Sequence, residues 1–119
     1  PETDVVAVCV HLNHETYKMI NDNIFSLMKD GVYFINTSRG DVIDENDFLK
    51  YLRNGKIKSA GIDVISDDLT GDINEHILVK YARENDNLII TPRIAGLTYD
   101  SERKAQTAAF NAIKDYFNK

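Results

Sequence analysis

The sequence predicts an α/β fold, a doubly wound parallel sheet of about four strands with flanking helices. Two observations point there first. Short apolar runs of strand length alternate along the chain with helical patterns, and no long linker or low-complexity segment intervenes. Strand, helix, strand, helix, strand, helix, strand is the order in which a parallel sheet is wound by crossovers. A third observation concerns the strand ends. Each apolar run gives way to polar or charged residues, and right-handed crossovers would bring those ends to one edge of the sheet.

The elements follow in order. "VVAVCV" (5–10) is a continuous apolar run, as expected of a strand buried on both faces. "NDNIFSLMKDG" carries Ile24, Leu27 and Met28 at helical spacing, with Asn21 or Asp22 as the cap and Gly31 as the stop. "VYFINTS" (32–38) is the second strand. Asp44 caps "ENDFLKYLRNG", where Phe48, Leu49 and Leu52 share a face and Gly55 ends the helix. "AGIDVI" (60–65) is a third, shorter strand, and residues 66–74 are a polar loop. "EHILVKYAREN" predicts a helix, "NLIITP" a fourth strand stopped by Pro92. The tail reads as an amphipathic helix with Ala105, Ala109, Ala112, Ile113 and Tyr116 on one side.

Composition excludes several classes. The 119 residues suffice for one modest domain, and 43% hydrophobic with 28% charged residues is ordinary for a soluble protein. A net charge of -5 argues against a general nucleic-acid binder. No apolar stretch approaches membrane-spanning length, and no signal-peptide pattern is present, so no membrane partner is expected. The single cysteine, Cys9, forms no internal disulfide, and a reducing cytoplasm is the expected compartment. Inside its apolar run Cys9 reads as a small buried hydrophobe. The opening Pro1-Glu2-Thr3-Asp4, directly before a strand, reads as a cut edge.

The strand-end edge gathers the candidate chemistry. Val10-His11-Leu12-Asn13-His14 follow the first strand, Thr37-Ser38-Arg39-Gly40 the second, Asp63 with Asp67 and Asp68 the third, and Arg93 the fourth. In open α/β sheets this edge is where ligands bind. A guanidinium is a planar fork that grips a carboxylate or phosphate bidentately, and Gly40 beside Arg39 permits close backbone approach. The plainer alternative is an internal salt bridge from Arg39 to Asp63 or Asp68. His11 and His14 read first as solvated loop residues, and no third ligand completes a metal site. His76, at a helix start beside Glu75, reads as a cap or surface residue.

Taken together, the stretch from "ETDVVAVCV" through "INTSRGDVIDENDFL" and "SAGIDV" to "NDNLIITPRIAG" resembles the D-isomer-specific 2-hydroxyacid dehydrogenases. The resemblance covers essentially the whole chain. It implies a partial Rossmann-like sheet, NAD or NADP as cofactor, and reversible hydride transfer to and from a small 2-hydroxy or 2-oxo acid. It also implies roles. Arg39 matches the arginine that binds the substrate carboxylate. Thr37 and Ser38 match the backbone beside the cofactor, and Asp63 the aspartate near the nicotinamide carboxamide. Val10, His11 and Thr16 match the loop along the nicotinamide ribose. Arg93, Ile94, Ala95 and Gly96 match the segment of the catalytic histidine and its cofactor-contacting neighbours.

Three departures qualify the resemblance. Arg93 stands where the family has its acid/base histidine, and arginine stays protonated and shuttles no proton. Asp68 stands where the family has a glutamate that supports that histidine. No G-x-G-x-x-G follows a strand. Residues 1–119 are therefore expected to be the C-terminal half of a dinucleotide-binding domain, without its N-terminal half or a substrate domain, and inactive alone. An unpaired sheet edge would favour a homo-oligomer. The other expectation is a non-catalytic module that binds an anion or NAD, or that oligomerises.

Overall fold

A computed structural model describes residues 2–66 and 71–118. The elements are β1 (Val5–Val8), α1 (Asp22–Leu27), β2 (Val32–Asn36), a 3-10 turn (Gly40–Val42), α2 (Glu45–Arg53), β3 (Ile57–Ile62), α3 (Ile77–Glu84), β4 (Leu88–Ile90) and α4 (Tyr99–Phe117). The four strands form one parallel sheet in the order β1-β2-β3-β4. The α/β class and the flanking helices are those the sequence predicts.

Capping explains where the helices begin. The Asn21 side chain accepts from the Asn23 amide at 3.2 Å, and the Asp44 carboxylate accepts from the Asn46 and Asp47 amides at 3.1 and 3.3 Å. Gly55, at φ +78°, turns the chain out of α2. α1 is shorter than its pattern suggests, ending at Leu27 with Met28 already extended, and Gly31 (φ +79°) serves the turn into β2.

Three helices cover one face of the sheet. Phe25 of α1, Phe34 of β2 and Phe48 of α2 are fully buried, with ring centroids 5.2 to 6.0 Å apart. Leu78 of α3 and Leu88 of β4 belong to the same core. Burial alternates accordingly along β2, where Val32, Phe34 and Asn36 are buried and Tyr33 and Ile35 exposed.

That one-sided cover corrects two expectations. β1 is not buried on both faces: Val5 is 50% exposed and Ala7 is also exposed, because β1 lies at the sheet's edge and no helix among the described residues covers the second face. Cys9, just past β1, is exposed instead of buried. β3 also begins at Ile57, before the expected residue 60. Lys58 and Ser59 hid its start, and Lys58 lies on the open face with its ammonium 5.2 Å from the Tyr33 ring centroid. α4 has the predicted amphipathic sequence, yet none of its residues is buried. No helix among the described residues is long and apolar enough to cross a membrane.

Candidate active-site edge

Register sets the site. Val8, Asn36, Ile62 and Ile90 are aligned across the four strands, so Thr37, Asp63 and Thr91 each follow the last paired residue of their strand. The Asp63 amide still donates to the Asn36 carbonyl (2.9 Å), and the Thr91 amide to the Ile62 carbonyl (2.9 Å), which carries the sheet one step further.

Asn36 shapes the loop that holds Arg39. It is fully buried, and its side-chain oxygen accepts from the Ser38 amide (3.0 Å) and hydroxyl (2.9 Å). Its amide group donates to the Arg39 carbonyl at 3.0 Å. Arg39 itself is exposed, with one guanidinium nitrogen donating to the Ser38 carbonyl at 2.6 Å. Among the described residues no carboxylate lies within ion-pair distance of it, so the salt bridge to Asp63 is not formed. Asp67 and Asp68 lie outside the described residues.

Asp63 is buried and organises the segment after β4. One carboxylate oxygen accepts from the Thr91 hydroxyl and from the Ile94 amide (3.0 Å), the other from the Ala95 amide (3.0 Å). The Arg93 amide bonds to the carbonyls of Asp63 (3.1 Å) and Thr91 (3.0 Å), which holds Arg93 at φ +55°. Burial alone would push the Asp63 carboxyl up. The Thr91 hydroxyl, the Ala95 and Ile94 amides and the Arg93 charge outweigh it and hold the pKa below its ordinary value of 3.8.

Asp63 borders two hollows at the strand ends, and the other sequence-derived residues are distributed around them. Thr37, Asp63, Ile94 and Ala95 line one shallow groove on the open side of the strand ends. Arg93, with Pro92, lines an apolar cavity that reaches Val79 and Ala82 of α3. Val10, His11 and Thr16 stand beyond β1, where the Thr16 hydroxyl donates to the His11 carbonyl (2.6 Å) and accepts from the Asn13 amide (2.8 Å) to close the loop. His14 is almost fully solvated, one of the two readings its position allowed. Gly96 is exposed and its carbonyl accepts from the Ser101 hydroxyl (2.7 Å). His76 caps α3 through its ring nitrogen at 3.2 Å from the Leu78 amide, as its place at a helix start suggested. Its close approach to buried Glu45 (Nε2 3.1 Å from a carboxylate oxygen) was not legible, since nothing in local spacing joins residues so far apart.

The sequence pattern of the D-isomer specific 2-hydroxyacid dehydrogenase NAD binding domain matches residues 1–95. The chain belongs to that family. It is 37% identical over 116 residues to the dehydrogenase efuE of Hormonema carpetanum, which covers 98% of this chain and 27% of that protein. It is 36% identical over 113 residues to the glyoxylate reductase of Thermofilum pendens, covering 94% of this chain and 32% of that enzyme. A crystal structure of D-lactate dehydrogenase from Aquifex aeolicus, complexed with NAD and lactic acid, superposes with a TM-score of 0.70 at 34% identity. That superposition covers 98% of this chain and 38% of the enzyme. The chain thus spans about a quarter to two fifths of the length of these relatives.

Proposed function

We propose that residues 1–119 form the C-terminal, nicotinamide-side half of the NAD-binding domain of a D-2-hydroxyacid dehydrogenase. In this reading the segment holds a 2-oxo acid and the nicotinamide end of NAD or NADP, and by itself does not turn them over. The observation that carries it is Arg93, a permanent cation held at the strand-end edge where the reaction needs a proton to be given and taken back.

Each group has a part in this reading. Arg39, exposed at its loop, grips the substrate carboxylate with its donor fork. An ionised carboxylate offers about four acceptor positions. Among the described residues three of these are filled on Asp63, which leaves one on the oxygen bound to Ala95 for a carboxamide N–H. Thr37, Ile94 and Ala95 form the groove wall beside it. When bound, the reduced cofactor would supply the hydride to the 2-oxo carbon, and the oxidised cofactor would accept it from a 2-hydroxy acid in the reverse direction. Arg93 stabilises negative charge nearby but does not exchange a proton near neutral pH, and Asp68 takes the position of the supporting carboxylate.

Calorimetric titration of the 119-residue chain with oxamate and with NAD, beside a hydride-transfer assay, tests the reading. Oxamate is expected to bind, an Arg39→Ala variant to lose about tenfold or more in affinity, and NADH oxidation with pyruvate or hydroxypyruvate to be absent. Turnover would refute the inactivity, and absence of anion binding would refute the site.

The uncovered surfaces favour self-association as well. Tyr33, Ile35 and Ile89 are exposed on the open face of the sheet, and Phe110, Ile113 and Tyr116 along α4. A helix of this length is about 28 Å long and roughly 10 Å wide, a footprint of about 280 Å². Two copies that each lay α4 on the other's open face would bury about 1,100 Å² in total, just above the roughly 1,000 Å² of a specific interface. Light scattering at tens of micromolar is expected to give a dimer mass. A sharp monomer mass would reject this pairing.

A further inference from the structure

The structure assigns to Glu45 a positioning role: it sets, through Ser66, where the Arg39 loop stands on the strand-end edge. The inference rests on the reading of Arg39 as the anion anchor.

A glutamate at the first position of a helix is ordinarily solvated and favours the helix dipole from outside. Glu45 is instead only 8% exposed. One carboxylate oxygen accepts from the Ser66 amide at 2.8 Å, and the other accepts from the Ser66 hydroxyl at 2.6 Å and lies 3.1 Å from His76 Nε2. His76 Nδ1 accepts from the Leu78 amide at 3.2 Å, which places the ring proton on Nε2, toward Glu45. One carboxylate therefore joins the start of α2, the residues after β3 and the start of α3.

The order of groups rules out a nucleophile. A hydrolytic triad needs the imidazole between hydroxyl and carboxylate, to take the hydroxyl proton. Here the carboxylate lies in the middle, and both ring nitrogens are engaged. The cluster binds structure together and does no proton transfer of its own.

Its mechanical connection runs to Arg39. The Ser66 amide held by Glu45 lies against Gly40, where a Cβ would fall 2.2 Å from Ser66 N and 2.1 Å from the Ile65 carbonyl carbon. Backbone thus rests directly on backbone, with no flexible side chain to absorb a shift. Arg39 is fixed from its other side by the Asn36 bond to its carbonyl (3.0 Å). Moving Ser66 moves the wall on which Gly40, and with it Arg39, is seated.

Glu45→Gln tests this. Whichever way the glutamine is turned, its NH2 group faces either the Ser66 amide or the Nε2 proton of His76, donor to donor, and the alternative ring tautomer would face the Leu78 amide in the same way. Either outcome loosens the cluster. Asp44→Ala is the control, because it removes the α2 cap without touching Ser66. Both variants are expected to melt at a lower temperature. Only Glu45→Gln is expected to weaken oxamate binding, by about tenfold, the effect of roughly one hydrogen bond. It is also the one expected to move the Arg39 and Gly40 amide resonances and the imidazole nitrogen signals of His76. The resonances need no ligand, so a parent chain that fails to bind oxamate still reports on Glu45. Unmoved Arg39 and Gly40 resonances in Glu45→Gln, or the same movement in Asp44→Ala, would overturn the assignment.

Discussion

Gly40→Ala is expected to destabilise the domain by about 3 kcal/mol or more, the upper range for overpacking. The atoms its methyl group would strike belong to the backbone of Ile65 and Ser66, and Ile65 is itself packed in the core. Relief requires parting the 3-10 turn at Gly40–Val42, whose Val42 is fully buried, from the end of β3. Gly61 is the internal comparison. A Cβ there meets nothing within 4 Å, so Gly61→Ala is expected to leave stability unchanged or slightly raised. Urea denaturation of the two variants and the parent checks the contrast. Equal stabilities for Gly40→Ala and the parent would mean that the two loops are not in hard contact.

Asp63→Asn is expected to cost about 2 to 3 kcal/mol at neutral pH, since charge-assisted bonds are lost and a new N–H faces a donor. Whichever way the amide is turned, its nitrogen meets the Ala95 amide or the Ile94 amide and Thr91 hydroxyl. The pH dependence has a definite sign. The folded-state pKa of Asp63 lies below the ordinary 3.8, so its contribution is fully present above that value. It fades as pH falls through the lower folded-state pKa. The difference in stability between parent and Asp63→Asn should therefore be constant from pH 7 to about 5 and shrink below pH 4. A difference that persists undiminished at pH 2 would show that the native state does not rely on ionised Asp63.

Much of this architecture was legible because it is written in local signals. Asn21 and Asp44 announce their helices through side chains that cap the next few amides, and Gly55 ends α2 through a conformation other residues resist. The strand ends were legible for the same reason: Thr91-Pro92 and Asn36-Thr37 mark where pairing stops. Where the sequence misled, a tertiary arrangement decided the outcome. The apolar run of β1 says that the strand prefers burial, but which neighbours cover it depends on strand order. Asp63 read as a cofactor contact, while its three internal bonds to a segment thirty residues away make it first a clamp on the loop. Glu45, Ser66 and His76 meet only through the fold, and each alone looks like a surface residue.

The left-handed backbone at Arg93 bears on how this position changes over evolutionary time. With φ at +55°, the site penalises β-branched and bulky residues, whereas asparagine, aspartate and histidine are enriched there several-fold. The carbonyls of Asp63 and Thr91, both engaged by the Arg93 amide, impose that conformation whatever side chain follows. The side chains that accept this backbone at residue 93 without strain thus form a short list. Histidine is on it, so a lineage that carries arginine here is separated from one with a titratable imidazole by a side chain, not by a rebuilt loop.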